Sequence, residues 1–204
     1  MSIEILNKVN QRYLQALELH KSSCDLFTFL AMRGFAEMHR YRYYCESKTQ
    51  LLISDFIITT CHVLPDSFVT SPYEPYFKSK SRLQLTPNDT WTCIKQNFAD
   101  YRLWESETVS FLEDCAFKLS SDADIISYDY IKSLSLDVHK ELVNVTDMII
   151  GYSSIEWDLS QIKEEQDTLL ERYLYLISTL HGKPKLYHHH NSLVSKELRT
   201  LEDL

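Results

Sequence analysis

The sequence predicts an all-α protein: a bundle of four long helices, with a long crossover between helices 2 and 3 and an extra C-terminal helix. Three observations carry this. Gly occurs 3 times and Pro 5 times in 204 residues, too few for the turns of a sheet-rich fold of that length. Apolar residues recur at steps of three and four along five stretches, the spacing of one helical face. The segment 65–86 lacks that period and separates two of the stretches.

Composition sets the frame. An apolar fraction of 44% and an aromatic fraction of 12% suffice for one domain with a sizeable core. The expected organisation is a bundle over 1–181 and a tail, 182–204, partly disordered or holding a short helix near Leu193–Leu201. A formal net charge of −8 repels phosphate backbones, so no nucleic-acid partner is expected. No apolar run reaches the roughly 18 residues that span a bilayer, so no membrane association is expected. No basic segment leads into an apolar one at the start. Cys24, Cys45, Cys61, Cys93 and Cys115 are odd in number and irregularly spaced. The chain therefore reads as cytoplasmic, with reduced thiols filling helix faces.

The first helix is expected from about Ile3 to Ala31, on the stripe Leu6, Val9, Tyr13, Leu17, His20, Cys24, Phe27 and Ala31. Two endings stay open: a break capped within Ser22–Asp25, or a tight turn at Met32-Arg33-Gly34. The second, about Gly34 to His62, carries Phe35, Met38, Arg42, Cys45, Thr49, Leu52 and Phe56, with Glu46 and Ile53 beside them. It stops before Pro65. Residues 65–86, with Pro65, Pro72 and Pro75, are long enough to cross the bundle, which lets the second and third helices run parallel.

Thr86-Pro87-Asn88-Asp89 opens the third helix. Thr86 caps, Pro87 suits the first helical position, and Asp89 returns a capping-box bond. The stripe Trp91, Ile94, Phe98, Tyr101, Glu105, Thr108, Leu112, Cys115, Leu119 is the most regular in the chain. Ser120-Ser121-Asp122 turns the chain and caps a fourth helix over about 123–151. Its stripe is Ile131, Leu134, Val138, Glu141, Val145 and Met148, with His139 and Leu142 alongside; Gly151 or Ser153-Ser154 ends it. The fifth, about 155–181, buries Ile155, Leu159, Ile162, Gln166, Leu169, Tyr173, Leu176 and Leu180 before Gly182 and Pro184 stop it.

Polar residues within these stripes carry the chemical information. Glu105 stands between Tyr101 and Leu112, Glu141 between Val138 and Val145, and Glu46 beside Cys45 and Thr49. A carboxylate inside a bundle is costly unless a cation or metal neutralises it. Carboxylates and histidines from facing helices are how bundles hold paired iron or manganese. The competing reading needs no metal: each Glu snorkels at a stripe edge, or Arg42, one turn before Glu46, pairs with it. The Glu-x-x-His tetrad of dinuclear sites is absent. Thr49 stands three residues after Glu46, and Thr is a poor ligand for these metals.

Several segments resemble ferritins. Leu17-Glu18-Leu19 with Ser22 resembles the ligand motif of their first helix. Gly34-Phe35-Ala36, then Arg40 and Glu46, resembles the start of the second. Leu103-Trp104-Glu105 with Leu112 looks like the third-helix segment around its metal carboxylate, and Asp129-Tyr130-Ile131 leading to His139 looks like the fourth helix. The resemblance covers about residues 3–180. It implies a ferritin-like bundle, iron as the metal, and a homo-oligomer or hetero-oligomer of such subunits. It makes Glu18 the first-helix carboxylate, Glu46 the bridging one and Glu105 the third-helix one. His139 falls where the family has Gln or Glu, with Glu141 close by. Thr49 replaces the histidine ligand, so the implied ferroxidase centre is incomplete. A second register of the first helix puts Arg12 at the position of Glu18.

The function expected is iron binding and storage by a subunit with a degenerate di-iron site, its ferroxidase activity weak or absent. The alternative is a non-catalytic bundle acting in assembly or partner binding. A third reading, a haem oxygenase-like bundle, needs a ligand cavity lined by His20, Tyr101 and Glu105. Tyr41, Tyr43 and Tyr44 read as packing or interface residues, and His188-His189-His190 as part of a solvated tail.

Overall fold

The structure, a computed structural model, describes residues 2–66 and 84–180. Five helices form: α1 (Ser2–Phe29), α2 (Arg33–Cys61), α3 (Pro87–Ser121), α4 (Ile125–Ser154) and α5 (Leu159–Leu180). Residues 67–83, with Pro72 and Pro75, and the tail from 181 onward, with His188–His190 and Leu193–Leu201, lie outside the described residues.

Each helix end has a local cause. α1 runs unbroken through Ser22–Asp25, so the chain turns at the second of the two expected places. Ala31 adopts the left-handed conformation (φ 59°), and Met32 N–H donates to Phe27 O at 2.8 Å. No side chain of its own caps α2. Gln166 of α5 does so, its Oε1 accepting from Phe35 N–H at 3.2 Å. Gly34 makes this approach possible, because α5 passes where a Cβ would otherwise stand. Thr86 and Asp89 form the expected capping box at α3. α4 is capped by Asp124, which accepts from Ser127 N–H at 3.1 Å, while Asp122 closes α3 instead. α4 continues through Gly151 to Ser154, and left-handed Glu156 and Trp157 turn the corner into α5.

Side-chain contacts fix the directions. Asn10 meets Gln50 and His20 meets His39, so α1 and α2 are antiparallel. Ser23 meets Asn97 and Arg12 meets Thr108, so α1 and α3 are antiparallel as well. α2 and α3 therefore run parallel, so the end of α2 and the start of α3 lie at opposite ends of the bundle, roughly 40 Å apart at 1.5 Å per residue of α2. α4 folds back along α3, from the turn at Asp124–Leu119 to the Tyr101–Glu141 contact. α5 lies along α2 in the same direction, with Gln166 at Phe35 and Tyr173 against Tyr41.

The core has two apolar ends. One, near the α1–α2 turn, gathers Phe27, Phe35, Phe98, Tyr152, Trp157 and Ile162. The other gathers Leu6, Val9, Ile53, Ile57, Leu112, Leu119 and Ile131. Two stripes depart from expectation by one residue. α2 buries Ile53 and Ile57 and exposes Leu52; α5 buries Leu170, Leu174 and Ile177. Strict alternation of threes and fours follows a 3.5-residue repeat, and a straight helix drifts from it by ~20° per heptad. Among the described residues no helix is long and apolar enough to cross a membrane. None of the five cysteines forms a disulfide.

Candidate metal centre

A polar layer separates the two apolar ends. α1 gives it Tyr13, α2 gives Arg42 and Glu46, α3 gives Tyr101 and Glu105, and α4 gives Glu141. Arg42 and Glu46 share the inward face of α2 one turn apart. Arg42 Nη2 donates to Glu46 Oε1 at 2.5 Å, and Nη1 lies 3.4 Å from Glu141 Oε2. The Tyr101 hydroxyl donates to the other Glu141 oxygen at 2.5 Å. The three charged side chains are 9–15% exposed. Glu105, 3% exposed, borders a small void with Arg12, Tyr13, Ala16 and Glu46.

Burial dominates the ionisation of this layer. It pushes the Glu105 carboxyl up to about 8, against the pull of Arg42. It also raises Glu46, despite the bound guanidinium. Burial opposes the charge on Arg42, but Tyr101, Glu46 and Glu141 outweigh it and hold the guanidinium charged. At neutral pH Glu105 is therefore protonated, and the fixed cation of the layer is Arg42.

The structure brings Glu46, Glu105 and Glu141 together on three helices. It does not bring Glu18 or His139 to them; both are exposed. From α1 the residues at the centre are Arg12, Tyr13 and Ala16, as in the register with Arg12 at the ligand position. Arg12 donates from Nε to Thr108 Oγ1 at 2.9 Å and from Nη2 to Trp104 O at 3.2 Å. Its guanidinium covers the Trp104 ring at 3.4 Å. Thr49, at the place of the missing histidine, donates its hydroxyl back to Cys45 O at 3.1 Å.

This donor set does not fit a paired metal centre. It offers three carboxyls, one of them protonated, no imidazole, and a guanidinium already bonded to the other two. Among the described residues no three His, Cys, Asp or Glu side chains are placed to hold a metal ion. Two cavities, about 280 and 390 Å³, open between α2 and α4, and Arg42 and Glu141 line both.

Sequence reasoning missed one member of the neighbouring layer. His39 is fully buried and meets equally buried His20, Nδ1 to Nδ1, at 3.0 Å. Tyr101 packs 5.1 Å from both rings, and Phe27 stacks on His39. The signal was present: 35, 39, 42, 46 follows the helical step as well as the stripe through Met38 does. The His20–Tyr101 contact is thus a filled ring cluster.

No protein-family model and no curated protein matches the chain. Solved structures do. A humanized archaeal ferritin superimposes with a TM-score of 0.63 at 15% identity, covering 83% of this chain and 94% of its own. An iron-soaked variant of PmFTN gives a TM-score of 0.62 at 14% identity, covering 81% and 96%.

Proposed function

From the premise that the fold is ferritin-like, we propose that this chain is a cytoplasmic subunit of an iron-storing, ferritin-like oligomer, one that builds the assembly and leaves iron oxidation to others. Its Glu46, Glu105 and Glu141 are the carboxyls of a degenerate di-iron site.

The observation that carries this reading is Arg42. In a carboxylate-rich bundle some positive charge must hold the acids together. Here a guanidinium does so permanently, bonded to α2 and α4 at once. A divalent cation entering the layer would have to displace that guanidinium from two carboxylates and take a proton from Glu105. It would still find no imidazole to complete its shell. Arg12, locked on Trp104, adds a second positive charge on the α1 side.

Two measurements test the proposal. Light scattering reads particle mass, for the chain alone and mixed with an oxidising ferritin subunit. Absorbance reads the oxidation of added ferrous iron in air. The expected outcome is a large particle, or entry into the mixed one, with oxidation by this chain no faster than in buffer and unaffected by Glu46→Ala. Oxidation above the buffer rate that Glu46→Ala abolishes overturns the degenerate site. A single-chain mass both alone and in the mixture overturns the assembly role and leaves the non-catalytic, partner-binding bundle.

A further inference from the structure

We propose that His39, packed against His20 near the α1–α2 turn, is an acid-operated latch: its protonation parts α1 from α2 there while the far apolar end stays closed. This rests on the geometry of the ring cluster and is independent of the functional reading above.

Both imidazoles are 0% exposed, and their one mutual hydrogen bond joins adjacent antiparallel helices. That bond needs one bare Nδ1. It tolerates a single added proton and is destroyed by two. Even the first proton brings a charge among the rings of Phe27 and Tyr101, where a dry site charges heavily for it. Neither Nε2 has a hydrogen-bond partner in the neutral pair.

The surrounding groups do not relieve the charge. α1 presents His20, itself neutralised by burial. α2 presents Arg42, one turn along, which repels a second cation. From α3, Tyr101 has turned its hydroxyl to Glu141, and the Asn97 side chain favours the charged ring without offsetting its burial. On α2 and α4, Glu46 and Glu141 are bound to Arg42. Burial, with Arg42 adding to it and Asn97 opposing, holds the His39 imidazole down to about 3, against 6.5 unshifted.

The sign follows. A group depressed on folding gives its full stability above the unfolded value of 6.5 and loses it as pH falls toward 3. The His39 titration alone should therefore raise opening up to about tenfold per pH unit below 6.5, against Glu105 and Glu46, which burial raises and which tighten the bundle as pH falls. The rings adjoin the apolar cluster near the α1–α2 turn, and the second apolar cluster lies at the far end of both helices, so loosening begins near that turn and leaves the far end closed.

The test uses the whole chain. Hydrogen exchange, corrected for intrinsic rates, is followed near pH 7 and near pH 5 in wild type and in His39→Phe, which keeps the stack on Phe27 but cannot titrate. His39→Asn, which keeps a polar atom near the Nδ1 position, serves if the Phe variant does not fold. Expected between the higher and the lower pH is a loss of protection in α2 around residues 36–46 that is tenfold or more greater in wild type than in the variants, which keep the titrations of His20, Glu46 and Glu105, with the far apolar end around Ile53 and Ile57 unchanged. Equal pH dependence in wild type and variant overturns the latch. So does a His39 ring proton resonance that titrates near 6.5 in folded wild type, a measurement that needs no variant.

Discussion

Arg42→Met removes the one cation bonded to both Glu46 and Glu141 while keeping a side chain of similar reach. At contact distance and an effective dielectric of about 20, each charge pair attracts by on the order of 4 kcal/mol. Desolvation consumes most of that, since burial raises Glu46 even with Arg42 in place. The intact pair is thus worth little net, but breaking it strands two buried carboxylates, a loss of about 3–5 kcal/mol. Against a domain stability of about 5–15 kcal/mol, that lowers Tm by roughly 6–20 °C. The deficit depends on pH. Without the guanidinium the Glu46 carboxyl sits further above its unfolded value of 4.5, so stability is retained below that value and lost as pH rises. Urea unfolding near pH 4.5 and near pH 7.5 reads both numbers. Adding Glu46→Gln and Glu141→Gln removes the stranded charge and should recover most of the loss. An Arg42→Met protein within about 1 kcal/mol of wild type near pH 7.5, or a triple variant as unstable as the single one, refutes the reasoning.

Three further outcomes follow from the same coordinates. Glu105, raised to about 8 from 4.5, gives stability present below 4.5 and lost as pH rises through 8, so Glu105→Gln should match wild type near pH 4.5 and exceed it near pH 9. The ceiling, for a difference of about 3.5 units, is roughly 5 kcal/mol; superimposable pH profiles would place the carboxyl outside the dry core. Gly34→Ala puts a Cβ 2.6 Å from Gln166 O and 2.7 Å from Leu169 Cβ, which pushes α5 off the α2 terminus at about 1–3 kcal/mol. Gly151→Ala, with nothing within 4 Å, should gain up to about 1 kcal/mol, so thermal unfolding should move in opposite directions for the two. Thr86→Ala removes the α3 capping box and should cost about 0.5–2 kcal/mol by urea titration.

How far the fold is legible varies with the kind of signal. α3 is the clearest case, because Thr86, Pro87 and Asp89 mark its start, and Ile94 through Leu119 repeat on one face that the structure buries. The α4–α5 corner is obscure, because Glu156 and Trp157 take left-handed φ without being Gly or Asn. Glu46, Glu105 and Glu141 are visible as acids on apolar faces, a property of single helices. Glu18 and His139 come from segment likeness, which says nothing about facing; α1 presents Tyr13, Ala16 and Leu19 to the core and leaves Glu18 exposed. Arg42 was visible as the neighbour of Glu46. That it also reaches Glu141 is a fact about α2 and α4 together, and no spacing along one helix contains it.

That cross-helix bond explains why a costly layer is worth keeping. The hairpins α1–α2 and α3–α4 are closely packed internally, whereas α2 and α4 meet through rings near their ends, Phe35 against Tyr152 and Phe56 stacked on Tyr130, and leave cavities of about 280 and 390 Å³ between. Apolar packing therefore acts near the two ends, and something else must hold the height of α2 against α4 between them. Arg42 does, because sliding either helix by one turn moves the guanidinium off Glu141 and leaves buried charge unpaired, a loss of several kcal/mol. The Arg12 clamp on Trp104 and Thr108 acts the same way between α1 and α3. A metal shared by four helices would fix the same register through its ligands. With arginines in that role the register is set by the chain itself, whether or not iron is present.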